Sequence, residues 1–223
     1  MAHIDFMSEL HRSTERDYIA RVTDPHMPKA RAARLAKQWG YDYWDGDPRI
    51  CYGGYEYFPG RWSKVARAMS DYYDLKPGDR VLDIGCGKGF QLADLKKTVP
   101  GICVYGLDIS EYAIQKSHQE IKTSLVMGCA EHLPFPSDYF DYVFSINTLH
   151  NLPNFSLFRA LQEIERVGKD KKYICVESYR TEEEKANLLY WQVTCESFFR
   201  PEEWRWLYSQ AGYTGDFSFI YFE

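Results

Sequence analysis

The chain has 223 residues, and 45% of them are hydrophobic, which is enough to bury the core of one domain with modest additions. Its formal net charge of −5 argues against a nucleic-acid backbone as the main partner, because proteins that bind phosphates usually carry basic patches. No apolar run reaches about 18 residues and the N-terminus lacks a signal-like apolar stretch, which argues against membrane spanning and secretion.

The number and spacing of the cysteines also argue against a secreted protein. Six cysteines are present, but none of them is spaced as C-x-x-C and no histidine lies at the spacing of a metal finger. Cys103 and Cys175 lie inside apolar runs, where free thiols behave as small buried hydrophobes. We therefore expect a reduced, cytoplasmic protein without a metal site.

The N-terminal third is predicted to be helical, with a loop in its middle. Residues 8–39 are charged and Ala-rich, and two prolines divide them into predicted helices over 11–22 and 28–39. Residues 40–60 carry five glycines and many aromatic residues, a density of breakers that predicts an ordered loop. Apolar residues at helical spacing then predict a helix over 61–73.

From residue 80 onward, short apolar runs alternate with helical segments. This alternation indicates parallel βαβ units in an α/β fold with a doubly wound, mostly parallel sheet. We divide the chain into N-terminal helices with an aromatic loop (1–74) and a core (75–223), together one globular unit. The predicted strands are 80–84, 102–107, 124–127, 139–146, 172–177 and 217–222, and the predicted helices are 90–97, 110–122, 155–167, 182–196 and 201–211.

A glycine-rich turn directly follows the first predicted strand. Residues 83–89 read Asp-Ile-Gly-Cys-Gly-Lys-Gly and open a helix, so the backbone can turn sharply and approach a ligand closely. The dinucleotide fingerprint G-x-G-x-x-G would require glycine at the position that Phe90 occupies. The spacing therefore disfavours a nucleotide-linked dehydrogenase.

Three more polar segments follow predicted strands. Asp108 ends the second strand about 20 residues after Gly87, an offset at which an acid can accept hydrogen bonds from ribose hydroxyls. Residues 129–135 follow the third strand, and residues 145–151 follow the fourth. Ligands of open α/β sheets bind outside the carboxyl ends of the strands, so these segments together predict one binding site.

In combination, these segments resemble the motifs of the class I S-adenosylmethionine (SAM)-dependent methyltransferases. Residues 81–89 are similar to the first motif of that family, 106–110 to its ribose-binding motif, and 130–135 to its adenine-side loop. The resemblance extends over about residues 75–180. It implies a Rossmann-like methyltransferase fold, SAM as the cofactor and methyl transfer as the activity.

The resemblance also implies a role for individual residues. Gly85 and Gly87 would approach the methionine end of the cofactor, and Asp83 would hold the loop or reach the amino group. Asp108 would bind both ribose hydroxyls. The remaining implied cofactor contacts are Cys86 in the turn, Ile109, Ala130 and Glu131 around the adenine, and Asn147 at the methionine moiety.

The chain departs from the family near its end. The family's sheet usually finishes with an antiparallel pair of strands, but the 12 residues after Ala211 suffice for only one strand. We expect the last strand to be missing or replaced by the N-terminal part. The segment 182–199 resembles a helical insertion over the active site.

Several residues are candidates for catalysis. His150, after the fourth strand, is the first candidate for a general base, and packing at a helix start is the alternative. Glu177, at the end of the fifth strand, and the nearby Tyr179 are further candidates. Glu177 has two other readings, in which it orients the substrate or pairs with Arg180.

The acceptor side depends on the aromatic segment 51–62. Tyr52 and Arg61 in this segment are candidates to reach the SAM carboxylate or the substrate, while packing of the N-terminal helices is the alternative. A covered aromatic pocket in an acidic chain favours a small-molecule acceptor, and we expect a sugar or a related metabolite. An RNA or protein methyltransferase and a non-catalytic SAM-binding protein are the alternatives.

Overall fold

A parallel sheet forms the centre of the molecule. The computed structural model describes residues 1–12, 16–50 and 56–223, and in these residues it contains one six-stranded sheet in which all neighbouring strands are parallel. The strands are β1 (Arg80–Ile84), β2 (Cys103–Asp108), β3 (Leu125–Met127), β4 (Phe140–Ile146), β5 (Gly168–Glu177) and β6 (Asp216–Ile220). Their order, β3-β2-β1-β4-β5-β6, is doubly wound and confirms the predicted α/β fold.

Helices precede the sheet and connect its strands. Short 3₁₀ turns follow two of the elements, at Gln119–Ser124 and Leu149–Asn151. The α-helices of the described residues are α1 (Ser8–Arg12), α2 (Tyr18–Thr23), α3 (Lys29–Ala36), α4 (Tyr41–Trp44), α5 (Ser63–Tyr73), α6 (Phe90–Thr98), α7 (Glu111–Gln115), α8 (Asn154–Val167), α9 (Glu182–Trp191) and α10 (Pro201–Ala211).

The N-terminal elements differ from the predicted ones in their bounds. The helix predicted over 11–22 is divided into α1 and α2, because Asp17 caps α2 by accepting a hydrogen bond from the backbone N–H of Ala20 at 2.9 Å. The loop predicted over 40–60 contains the single turn of α4. Similarly, the helix predicted over 110–122 ends early, as α7, and continues as a 3₁₀ turn.

The N-terminal residues reach the outer edge of the sheet beside β6. His3 forms a parallel bridge with Phe217, and the backbone N–H of Ile4 donates to the carbonyl of Phe217 at 2.9 Å. No antiparallel strand accompanies β6 in the part of the chain that the structure describes. The N-terminal segment therefore lies along the sheet edge, which is one of the two outcomes expected from the shortage of residues after Ala211.

Alternate side chains of each strand enter two separate cores. Val81 packs with Leu92 on the face that α5 and α6 cover, whereas Leu82 packs with Leu161 on the face that α8 and α10 cover. All four side chains are fully buried. The sheet is therefore covered on both faces, which leaves the loops at its strand ends to form a binding site.

Helix α8 offers a matched test of this packing. Leu161 is fully buried, while Phe155 in the same helix is 88% exposed. We expect Leu161→Ala to lower the free energy of unfolding by about 2–5 kcal/mol, because the change leaves a cavity in a close-packed core. Phe155→Ala should change it by less than about 0.5 kcal/mol. Urea denaturation of both variants checks this, and equal losses would contradict the described orientation of α8.

Candidate active site

A cavity of 770 Å³ opens at the carboxyl ends of the strands. Its floor contains residues that end four neighbouring strands: Ile84, Asp108, Ile146 and Glu177. The cavity lies within the range of about 300–1,000 Å³ that is usual for small-molecule sites. The N-terminal part of the chain supplies an opposing wall that includes His11, Arg16, Trp39, Tyr43 and Trp44.

The turn between β1 and α6 contains three glycines with left-handed backbone, at positions 85, 87 and 89. Gly85 and Gly87 have φ angles of 80° and 55°, in the left-handed region that favours glycine. A Cβ at Gly85 would lie 2.0 Å from the side-chain oxygen of Thr148, and a Cβ at Gly87 would lie 2.7 Å from the ring of Trp44. The turn therefore approaches its neighbours more closely than any other residue type would allow.

Asp108 ends β2 directly beside this turn. Its carboxylate accepts hydrogen bonds from the backbone N–H groups of Gly87 at 2.7 Å and Ser110 at 2.8 Å, one on each oxygen. Burial raises the pKa of Asp108, although the backbone donors act in the opposite direction. Because each carboxylate oxygen has room for a second donor, Asp108 can still accept two ligand hydroxyl groups.

A second carboxyl lies on the neighbouring strand. Asp83 is buried, and its pKa is raised well above the ordinary value, first by burial and then by the nearby charge of Asp108. Burial, together with both carboxylates, also raises the pKa of the Cys86 thiol. A positively charged ligand group at this position would favour the ionised carboxylates, so this end of the cavity suits a cation.

Helix α4 connects the N-terminal segment to the glycine turn. The indole N–H of Trp44 donates to the hydroxyl of Ser110 at 2.8 Å. Asp45 accepts a hydrogen bond from Lys88 Nζ at 2.5 Å and another from the hydroxyl of Tyr112 at 2.8 Å. These contacts hold the N-terminal wall over the part of the cavity formed by β1 and β2.

His150 and Glu177 form a buried pair at the other side of the cavity. His150 Nε2 lies 3.4 Å from Glu177 Oε2, and the backbone N–H of Glu177 donates to His150 Nδ1 at 3.3 Å. Because Nδ1 accepts this bond, the neutral ring carries its proton on Nε2, facing the carboxyl group. Burial lowers the pKa of His150 to about 3, which keeps the ring neutral.

The carboxyl group of Glu177 has the properties of a proton-transfer group. Burial raises its pKa to about 8, while the positive charge of Arg16 and a hydrogen bond from Gln192 act in the opposite direction. Gln192 donates to Oε1, and Oε2 has no hydrogen-bond partner among the described residues. A buried carboxyl with a raised pKa and one oxygen without a hydrogen bond suits general acid or base catalysis.

Arg16 lies at the same side of the cavity, against two aromatic rings. Its guanidinium carbon is 5.6 Å from the ring centre of Trp191 and 5.1 Å from that of Phe222. Nη2 of Arg16 donates to His11 Nδ1 at 3.2 Å, and His11 Nε2 donates to the carbonyl of Tyr221 at 2.8 Å. Burial lowers the pKa of Arg16, but a guanidinium keeps its charge in proteins.

The structure brings most of the predicted site residues to this one cavity. Tyr52 lies outside the described residues. Within the described part of the chain, Glu131 and Tyr179 do not line the cavity, and Tyr179 is buried beside Lys185 and Arg200. The predicted residues that line it are Asp83, Gly85, Cys86, Gly87, Asp108, Ile109, Ala130, Asn147, Arg61, His150 and Glu177.

Gln192, Arg16 and Trp44 are among the lining residues with polar contacts that sequence reasoning missed. Gln192 falls inside the helix predicted over 182–196, but α9 ends at Trp191 and the extended backbone of Gln192 allows its side chain to reach Glu177. Arg16 and Trp44 lie more than 100 residues from β5 in the sequence. Their local sequence is merely charged or aromatic, so only the fold identifies them as parts of the cavity.

The loop after β3 contains a group of potential metal ligands that spacing did not indicate. The ligating atoms of Cys129, Glu131 and His132 all lie within 4.8 Å of one another, and Cys129 Sγ is 3.8 Å from His132 Nδ1. Cys129 also lines the cavity. Proteins bind zinc through these residue types, yet their order here, C-x-E-H, matches no finger pattern.

Comparison with known proteins gives a family match. The family model of the methyltransferase domain matches residues 75–212. Demethylmenaquinone methyltransferase from Symbiobacterium thermophilum is 34% identical over 128 residues, which cover 53% of this chain and 50% of that protein. Phthiotriol/phenolphthiotriol dimycocerosates methyltransferase 1 from Mycobacterium ulcerans is 34% identical over 112 residues, which cover 49% and 41%. The chain thus spans half or less of the length of these relatives.

Solved structures support the fold. The YcgJ protein from Bacillus subtilis has a TM-score of 0.54 at 21% identity, and the match covers 66% of each chain. At this identity the likeness concerns the fold alone. Among the described helices, none combines the length and the apolar character that crossing a bilayer requires.

Proposed function

Because the chain belongs to the class I SAM-dependent methyltransferase family, we propose that it transfers a methyl group from SAM to a small-molecule acceptor. The observation that carries the proposal is the placement of two groups of side chains in one cavity. Asp83 and Asp108 lie beside the glycine turn, and Glu177 lies across the cavity. A cofactor at the first group and an acceptor at the second would meet above β1 and β4.

The residues at the glycine turn fit SAM in charge and in hydrogen bonding. Asp108 has acceptor capacity left for the ribose hydroxyls, and the buried Asp83 suits the ammonium group of the methionine end. Ile109 lines the cavity, yet 56% of it is exposed, which leaves its surface available to an adenine ring. When bound, SAM supplies an electrophilic methyl group on a positively charged sulfur.

We infer that Glu177, rather than His150, is the base that takes a proton from the acceptor. The lone pair of His150 accepts the backbone N–H of Glu177, and its low pKa makes the ring a poor proton acceptor. Glu177 Oε2 has no hydrogen-bond partner among the described residues, and its carboxyl pKa of about 8 matches a base that works near neutral pH. His150 then acts as a positioning residue whose Nε2–H faces that carboxyl group.

The cavity favours a small acceptor over a macromolecule. Its walls come from both the N-terminal segment and the strand ends and include several aromatic side chains, so the reacting group has to enter a cleft of 770 Å³. The relatives named above are methyltransferases of a demethylmenaquinone and of a phthiotriol lipid. A sugar or a related metabolite, which we expect from the sequence, is the alternative acceptor class.

Calorimetry with the purified protein tests the cofactor. We expect SAM and S-adenosylhomocysteine, its demethylated form, to bind with dissociation constants in the micromolar range, on the order of −8 kcal/mol. Absence of binding for both compounds would remove the proposal. Binding together with a failure to transfer a methyl group to any acceptor would favour a non-catalytic SAM-binding protein instead.

SAM binding should release a proton if Asp83 contacts the ammonium group of the methionine end of SAM. Burial and Asp108 favour the protonated form of Asp83 in the free protein, and a nearby positive charge lowers its pKa again. We therefore expect a proton to leave the protein when SAM binds. Calorimetry in two buffers of different ionisation enthalpy measures it, and Asp83→Asn should abolish the difference between buffers. An unchanged difference would place the ammonium group elsewhere.

A further inference from the structure

We propose that the acceptor is a planar, mostly apolar molecule with an acidic hydroxyl group, a phenol or an enol, and that Arg16 and Glu177 hold this hydroxyl between them. The inference rests on the proposed methyl transfer and assigns its acceptor class. It depends on where these two side chains lie in the cavity, on the rings around Arg16 and on Oε2 of Glu177, which has no hydrogen-bond partner among the described residues.

The order of the strands separates a cofactor side from an acceptor side. Neighbouring strands lie about 4.8 Å apart, so β2 and β5, which are three steps apart in the sheet, are separated by about 14 Å. Asp108 ends β2, whereas Glu177 ends β5. Arg16, Trp191 and Phe222 cluster together, and Phe222 lies two residues beyond Ile220, which pairs with Glu177 in the sheet. This cluster therefore belongs to the acceptor side.

The positive charge of Arg16 determines which charge an acceptor group can carry at this side of the cavity. Its guanidinium lies against the rings of Trp191 and Phe222 and is half buried, so its field is poorly screened by water. A protonated amine beside it would be repelled, and an oxyanion would be stabilised. An acidic hydroxyl becomes an oxyanion during the reaction, whereas an alkyl hydroxyl holds its proton much more tightly.

Glu177 takes the proton of the acceptor when the acceptor binds as a neutral hydroxyl compound. The O–H proton passes to its carboxylate at Oε2, the oxygen that has no hydrogen-bond partner among the described residues. A bond forms between the acceptor oxygen and the methyl carbon while the sulfur–methyl bond breaks, and the electron pair of that bond stays on sulfur. The sulfonium thus becomes a neutral thioether, and Glu177 later releases its proton to water. A carboxylate acceptor arrives without a proton and would leave Glu177 without this role.

The aromatic residues at the acceptor side of the cavity favour a planar acceptor molecule. Trp191 and Leu10 are half-buried and line the acceptor side of the cavity, whereas Phe222 and Ile220 also line it but are almost fully buried. Flat apolar molecules gain both burial and ring stacking against such a wall. The planar apolar part of the acceptor is thus recognised by packing against the aromatic lining. Its hydroxyl group is recognised by Arg16 and Glu177, which lie on either side of it.

A matched panel of probes tests the acceptor class by turnover. We would incubate the full chain with methyl-labelled SAM and one of four compounds that share a two-ring body: 2-naphthol, 2-naphthylamine, 2-naphthoate and decahydro-2-naphthol. The expected product is 2-methoxynaphthalene, with at least about tenfold less transfer to the other three, a difference of 1.4 kcal/mol in activation free energy. Equal or better transfer to the amine, the carboxylate or the alkyl alcohol, or methylation of naphthol on carbon, overturns the proposal.

A spectroscopic probe tests the role of Arg16 without turnover. 4-Nitrophenol becomes yellow when it ionises, so its pKa can be measured in the complex with S-adenosylhomocysteine. We expect the protein to lower that pKa, because a guanidinium stabilises the phenolate. Arg16→Met should abolish the shift. Arg21→Met is the matched control, since Arg21 contacts Trp191 at 4.3 Å from its ring centre but does not line the described cavity.

The two experiments separate the failure of this inference from the failure of the proposed function. If S-adenosylhomocysteine binds but nitrophenol keeps its pKa in the wild-type complex, the acceptor class is wrong and the cofactor assignment stands. The inference also fails if Arg16→Met and Arg21→Met behave alike. If neither SAM nor its demethylated form binds, the proposed function itself is wrong.

Discussion

Glu177→Gln should lower kcat by about 10²–10⁴-fold, the range that a general base usually contributes. The amide keeps the size of the side chain but cannot take a proton at the position of Oε2, the oxygen without a hydrogen-bond partner among the described residues. The affinity for SAM should stay the same, because Glu177 ends β5 and lies about 14 Å from the end of β2. Single-turnover kinetics together with calorimetry measure the two quantities separately.

The pH profile distinguishes a base from a merely structural carboxyl. A base must be ionised to act, so the wild-type rate should rise with pH and level off above the carboxyl pKa of about 8. The charged and titratable groups near Glu177 are Arg16, His150, Cys175 and Cys195; the two thiols have raised pKa values and His150 stays neutral. This increase of the rate with pH, the rising limb of the profile, should be absent in Glu177→Gln.

Glu184→Gln serves as the control for this change. Glu184 is also buried, but it is paired with Arg180 and does not line the described cavity. Its replacement should leave both kcat and the pH profile unchanged. His150→Ala should lower kcat while the rising limb stays, because the base itself is still present. A rate in Glu177→Gln equal to that of the control would exclude Glu177 as the base.

Asp108→Ala should weaken SAM binding by more than tenfold, or about 1.4 kcal/mol. Two losses add up in this variant. The ribose hydroxyls lose their acceptor, and the N–H groups of Gly87 and Ser110 lose the carboxylate that now fixes the turn. Calorimetry gives the affinity, and thermal unfolding shows whether the variant is folded.

Two further variants make the result for Asp108 interpretable. Asp108→Asn keeps one acceptor oxygen, so it should fold when the Ala variant does not and should still bind SAM more weakly than the wild type. Asp141→Ala is the control, because Asp141 lies near the start of β4 at the opposite end of the sheet and pairs with Lys169 at 2.7 Å. Unchanged affinity in Asp108→Asn and in Asp108→Ala would remove Asp108 from the ribose site.

The cofactor side of the cavity could be predicted from the sequence because its determinants are local. A run of apolar residues predicts β1, and the glycines that follow predict a turn with left-handed backbone, which Gly85 and Gly87 adopt. The position of Asp108 at a strand end then follows from the next apolar run. Strand ends of a parallel sheet share one edge, so the sequence order alone brings these residues together.

The acceptor side depends on contacts between distant segments and could not be predicted in this way. Arg16 reaches Trp191 and Phe222 only through the fold. Tyr179 illustrates a different limit. A period of two would place it on the same face as Glu177 if the strand continued, but β5 ends at Glu177, and the chain then turns away from the cavity.

The pairing of the N-terminal segment with the edge of β6 affects how the site assembles during folding. Ala2 donates its backbone N–H to Asp216 at 2.7 Å, across a sequence separation of 214 residues. Contacts of such high contact order form slowly, since a long loop has to close before they contribute stability. We therefore expect the wall that carries His11 and Arg16 to be completed after β1 and β2 have paired, so the cofactor turn should form before the acceptor side during folding.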